Sequence, residues 1–165
     1  MKTLLVIAAL VVSLNGFAEN KSDNFVYNDV YNTQNMVSAR TVYRSMDSSL
    51  QLYRQYIYKY DENGRIVEKE AEKWDTFNSC WTPDYQLSYS YEGKNFTIDY
   101  AGWNASKKCF KQISERTVYK PNMDGLTLSF YKYTRNASDN SWKLQEQYNN
   151  LDYTSETRLI AENLK

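Results

Sequence analysis

The sequence predicts an all-β fold, an antiparallel meander of about eight strands made of repeated β-hairpins, forming an open curved sheet or a partly rolled barrel. Three observations predict it. The first is a repeat. Tyr60 is followed by Asp61-Glu62-Asn63-Gly64, a strand-like run, Trp74 and then Trp81. Tyr91 is followed by Glu92-Gly93-Lys94-Asn95, a strand-like run, Trp103 and then Phe110. A third copy starts at Tyr119, turns through Asn122-Met123-Asp124-Gly125 and reaches Asn136-Ala137-Ser138 and Trp142. The second observation is period-two alternation: Tyr85, Leu87, Tyr89 and Tyr91 share one face, and Gln86, Ser88 and Ser90 the other. The third is composition. With 16 Tyr, 6 Phe and 4 Trp, aromatics replace the aliphatic residues that a thicker core would use. Such rings bury large area and keep a polar atom that can stay wet.

Each element follows from the local pattern. Residues 19–35 read as a polar arm, with a short strand at Phe25-Val26-Tyr27. Val37 to Arg44 is β-branched and ends at Asp47-Ser48-Ser49. Leu50, Leu52, Tyr56, Tyr58 and Tyr60 point one way, with Arg54 breaking the row. Asn63-Gly64 is a strong hairpin signal because both residues accept positive φ. Arg65 to Trp74 is rich in Glu and Lys and in isolation could turn as a helix. The flanking hairpin signals decide for strand. Trp81 to Tyr91, Phe96 to Tyr100 and Phe110 to Tyr119 follow. Leu126, Leu128 and Phe130 form the next strand, with Tyr131 and Tyr133 facing the other way. Trp142 to Tyr153 closes the third unit. The tail from Thr154 fits a short helix or a last strand equally.

Residues 1–18 have the form of a secretory signal peptide: Lys2, an apolar stretch from Leu4 to Leu14, and Gly16-Phe17-Ala18 as a small-x-small cleavage site. The apolar run is too short to span a bilayer. The expectation is a mature chain starting near Glu19, secreted or periplasmic, with residues 36–165 as one hairpin-repeat domain. The formal net charge of +0 argues against nucleic acid, which needs a basic stripe, and against an anionic membrane surface.

Chemistry-bearing residues are few. The chain has no histidine, which excludes Ser-His and Cys-His catalysis. Cys80 and Cys109 occupy the same position in successive repeats. Export favours a disulfide between them. Geometry opposes it, since equivalent positions of neighbouring hairpins lie about 9.6 Å apart and a disulfide needs Cα atoms within about 7 Å. Two thiols alone do not make a structural zinc site, so neither metal nor cofactor is expected. A carboxylate pair, Asp99 and Glu115 on neighbouring strands, is the one arrangement that could serve glycosidase chemistry. Both also fit solvated strand positions.

Trp74, Trp81, Trp103 and Trp142 flank the same kind of loop in their repeats, so they should cluster at one end of the sheet. Tryptophan faces suit sugar rings or extended peptides, and the same rings could instead pack the edge of the core. Asn95, Asn104 and Asn136 head glycosylation-type triplets and read as turn residues.

Tyr58-Lys59-Tyr60-Asp61-Glu62-Asn63-Gly64-Arg65-Ile66, with the Trp74-to-Trp81 spacing, resembles a family of small secreted domains of unknown function from gut Bacteroidetes, over roughly Thr41 to Tyr153. The tyrosine-aspartate-x-x-glycine hairpin is also similar to the tyrosine-aspartate repeats of large shell-forming bacterial proteins. Neither resemblance implies a catalytic residue. The leading expectation is a non-enzymatic domain that binds a glycan or an extracytoplasmic protein. A self-assembling module comes second, since a serial hairpin sheet leaves pairing-competent edges. A carboxylate-dependent carbohydrate-active enzyme comes third.

Overall fold

The structure, a computed structural model, describes residues 25–46, 49–122 and 127–152. The apolar leader and the tail beyond Asp152 lie outside the described residues. Ten strands follow in chain order: β1 Phe25–Tyr31, β2 Val37–Met46, β3 Ser49–Tyr60, β4 Ile66–Asp75, β5 Cys80–Glu92, β6 Asn95–Asn104, β7 Cys109–Phe110, β8 Glu115–Pro121, β9 Thr127–Arg135 and β10 Trp142–Asp152. Sequential strands pair antiparallel from β1 to β6, then β6 pairs with β8, β9 and β10 follow, and β7 sits beside the far end of β6. The sheet is open, with β1 and β10 as its edges.

Two additions raise the count above the eight expected. β1 runs to Tyr31 rather than stopping at Tyr27, because Asp29 pairs with Arg40 in the register and locks it with two hydrogen bonds of 2.7 Å. The expected strand from Phe110 to Tyr119 is broken. The Lys111 amide donates to the Gly102 carbonyl at 2.8 Å and the Ser114 amide to the Tyr100 carbonyl at 3.0 Å. Gln112 and Ile113 therefore bulge out opposite Ala101, dividing β7 from β8.

The charged β4 is a strand because its ionic side chains find cross-strand partners. Lys59 and Glu68 are directly opposite and 2.6 Å apart, the favourable arrangement of unlike charges across a ladder. The Tyr60 hydroxyl donates to the Val37 carbonyl at 2.7 Å and the Tyr91 hydroxyl to the Ile66 carbonyl at 2.8 Å. The repeated tyrosine thus ties the end of one strand to the start of its neighbour, which is the physical content of the sequence repeat.

The Asn63-Gly64 hairpin differs from expectation. Only Gly64 has positive φ, at 75°. The Gly64 amide donates to the Asp61 carbonyl and the Asp61 amide to the Arg65 carbonyl, which makes a three-residue loop ending in a left-handed residue. The Asp61 carboxylate accepts the Asn63 and Arg65 amides. Asn32 and Asn35 build the same loop between β1 and β2, with Asn35 at φ 58°. A Cβ on Gly64 would meet the Met36 sulfur at an unstrained 3.5 Å, so the penalty there is backbone alone. Gly64→Ala is expected to destabilise by roughly 1–2 kcal/mol, read as a shift in the urea midpoint at unchanged m.

Leu87, Tyr89, Phe96, Ile98, Tyr119, Leu128 and Phe130 form the core. Cross-strand pairing places all of them on one face of β5, β6, β8 and β9. The same face of β2 to β4 is different in character. It carries Arg40, Arg54, Tyr56, Tyr58 and Lys69, which the register also puts together. Leu50 and Leu52 do not share a face with Tyr56 and Tyr58 as expected. The register slips at Val42 and Tyr43, leaving Tyr53 as an extra residue and reversing the side of everything before it.

Candidate functional site

The candidate site starts at the four-residue loops. Asp75 precedes residues 76–79, Asn104 precedes 105–108, and Asn136 precedes 137–140. Each side chain caps its own loop: the Phe77 and Asn78 amides donate to Asp75, the Lys107 amide to Asn104, and the Ser138 amide to Asn136. The last loop residue takes positive φ in all three, at Ser79, Lys108 and Asn140. β7 and β8 both run antiparallel to β6, so β4, β6 and β9 point the same way and the three loops that follow them lie at the same end of the sheet.

The tryptophans stand beside these loops. Trp74 faces Trp81 directly, and Trp103 faces Phe110. Ring centroids are 5.1 Å and 5.0 Å apart, at 69° and 70°, the edge-to-face geometry that aromatic quadrupoles favour. Trp142 pairs with Arg135. Its ring receives the Arg116 guanidinium at 4.9 Å and that of Arg135 at 5.5 Å. Following the register across the sheet puts all four tryptophans on the face opposite the core. Each is half-buried. The four are therefore at one end, as their loop positions imply, and outside the core.

Phe77, Arg116, Arg135 and Glu72, which sequence reasoning overlooked, lie close to this row in the chain or on its face. Phe77, in the loop between Trp74 and Trp81, is 95% exposed. Its signal was a phenylalanine isolated in an otherwise polar turn. Arg116 is fixed by two hydrogen bonds to Asp99, at 2.7 and 2.8 Å, which raise its pKa. The Gln112 side-chain amide oxygen accepts from the Arg135 guanidinium at 2.9 Å, so the bulge after β7 props the second guanidinium. Glu72 lies two residues before Trp74 on the same outer face. Burial first, and the neighbouring Glu70 second, raise its carboxyl above the ordinary range.

The structure separates the carboxylate pair. Asp99 is opposite Arg116, while Tyr100 is opposite Glu115. Asp99 is therefore on the outer face and Glu115 on the core face, where Lys132 lies 3.6 Å from it. Two carboxylates on opposite sides of a sheet cannot flank one glycosidic bond. Cys80 and Cys109 are exposed free thiols, on β5 and β7 with β6 between them. Among the described residues no helix is long and apolar enough to cross a membrane.

Comparison with other proteins adds relatives of the same kind. No curated protein matches the chain. A crystal structure of a protein with unknown function from Bacteroides fragilis is similar with a TM-score of 0.69 at 23% identity, covering 78% of this chain and 93% of that one, and it shares the fold. A DUF3836 family protein from Bacteroides vulgatus has a TM-score of 0.51 at 32% identity, covering 53% of this chain and 89% of that one. Another, from Parabacteroides distasonis, has a TM-score of 0.54 at 25% identity, covering 58% and 89%. The model of the family of unknown function DUF3836 matches residues 1–121. That match spans well over half of the chain, and the hairpin motif resembling domains of unknown function from gut Bacteroidetes lies inside it: the chain belongs to the DUF3836 family.

Proposed function

We propose that this protein is an exported, non-enzymatic binding domain, acting outside the cytoplasm, that holds a glycan on its outer face. One observation carries the reading. Trp74, Trp81, Trp103 and Trp142 stand on four strands, at one end, on the face away from the core, and each keeps part of its ring in solvent. That placement leaves the rings outside the apolar core, and flat half-exposed rings beside fixed polar groups suit sugar rings. The Asp99–Arg116 pair and Glu72 would supply directional hydrogen bonds between the rings. The form of residues 1–18 supports export. Alanine at Trp81 and at Trp103 should each weaken binding to a polysaccharide by about 2 kcal/mol, measured by affinity electrophoresis across a panel of plant and host polysaccharides. Parental affinity in both variants would contradict the reading.

A second reading, self-assembly through the sheet edges, is favoured by exposed apolar residues there. Val26, Val30 and Tyr31 on β1, and Leu144 and Tyr148 on β10, are 43–55% exposed. Unpaired edges of this kind invite a second chain. Sedimentation separates the readings: a monomer throughout a concentration series excludes assembly.

A further inference from the structure

We infer a second site, separate from the tryptophan row, on the core face of β2 to β4, where Lys69, with Arg54 and Arg40 beside it, receives the oxyanion of a small acidic ligand. Two observations point to it. Lys69 is 4% exposed, and among the described residues no carboxylate pairs with it. Its ammonium lies instead over the Tyr56 ring at 3.9 Å and near the Tyr58 ring at 5.7 Å. The Arg54 Nε is buried without a hydrogen-bond partner. The two carboxylates facing this sector are already committed: Asp29 to Arg40 at 2.7 Å, and Asp84 to Arg54 at 3.0 Å and to Lys73 at 3.7 Å. Among the described residues neither carboxylate is left for Lys69. A buried ammonium without a counter-ion is costly, and an entering carboxylate or phosphate would supply one, with the idle Arg54 Nε as a further donor in the same sector. Tyr56, Tyr58 and Tyr85 border the sector and offer ring faces to the ligand's body.

Burial first, then Arg40 and Arg54, bring the Lys69 pKa down to about 7. The other groups facing it do not titrate near neutrality. Tyr58, Tyr85 and Tyr89 are pushed up by burial, Arg40 and Arg54 stay charged, and Asp29 is held low by Arg40. An oxyanion that needs the ammonium should therefore bind at pH 6 and weaken more than about tenfold by pH 9.

The test is calorimetric titration of the full chain with D-galacturonate and with inorganic phosphate, using D-galactose as the neutral control, at both pH values. Binding of galacturonate at pH 6, its loss at pH 9 and its absence in Lys69→Met support the site. A preference for phosphate instead assigns the oxyanion to a phosphate-bearing ligand. Trp81→Ala should bind the acid unchanged, so failure of the glycan platform and failure of this site are distinguishable. If Lys69→Met does not fold, proton uptake by the parent chain decides: galacturonate binding at pH 7.5 should take up a proton, read from how the binding enthalpy changes with the ionisation enthalpy of the buffer. The inference is overturned if neither acid binds at pH 6, if galactose binds equally, if the pH change has no effect, or if binding at pH 7.5 takes up no proton.

Discussion

Replacing Tyr119 by alanine is expected to cost about 3–5 kcal/mol of folding stability, the largest effect of any single core substitution in this sheet. Tyr119 is 2% exposed. Its ring lies flat on Phe96, with centroids 4.3 Å apart and planes at 5°, and meets Phe130 edge-on at 5.4 Å and 66°. These rings come from β6, β8 and β9, so one side chain joins three strands. Among the described residues no large side chain is wholly buried, and a core this thin has little to collapse into the space left. Stability of a small domain is only about 5–15 kcal/mol, so the loss is a large fraction of the total. Urea unfolding followed by far-UV circular dichroism gives the value. Tyr148→Ala, at a ring 52% exposed, is the control, and an equal loss there would contradict the assignment of the core.

The second large effect is a rise of stability with pH. The folded state holds Lys69 at about 7 against an ordinary 10.5. Between those values the unfolded chain binds the extra proton, so stability increases as pH rises. The gain approaches about 1.4 kcal/mol per pH unit in the middle of that window. It is lost again as pH falls through 7. Above 10 the sign reverses, because Tyr85 and Tyr89 stay protonated in the fold while their unfolded counterparts ionise. The slope is therefore read between pH 7 and 9.5. Lys69→Met should flatten it and be more stable than the parent at pH 6, since it removes a buried charge and keeps the stem. A parent whose unfolding free energy is the same at pH 7 and 9.5 would contradict this.

The hairpin order was legible because alternation and turn chemistry are local. β6 shows this well. Phe96, Ile98 and Tyr100 alternate into the core, so Trp103 falls on the outer face by parity alone. β4 was legible despite its charges, because Tyr60, Asp61 and Gly64 fix the strand before it. The bulges were not legible, since no residue type marks them. Trp81 and Tyr85 are four residues apart, and unbroken alternation would place both in the core. The register slips between Ala71 and Glu72, opposite Pro83 and Tyr85, and that single extra residue turns Trp81 outward. The same kind of slip separates Leu52 from Tyr56. Asp99 and Glu115 looked like neighbours in sequence terms. Their opposition across the sheet depends on a one-residue difference in register, which only the strand pairing supplies. Lys69 was read as one charge in a charged strand, because its isolation from carboxylates depends on β1 and β5.

The most direct test of the tryptophan platform is the accessibility of the tryptophans to iodide, measured by fluorescence with and without saturating polysaccharide. The outer-face row predicts emission that iodide quenches in the free protein and that a bound glycan protects. Blue-shifted emission that iodide does not touch in the free protein would place the rings in the core and contradict the account.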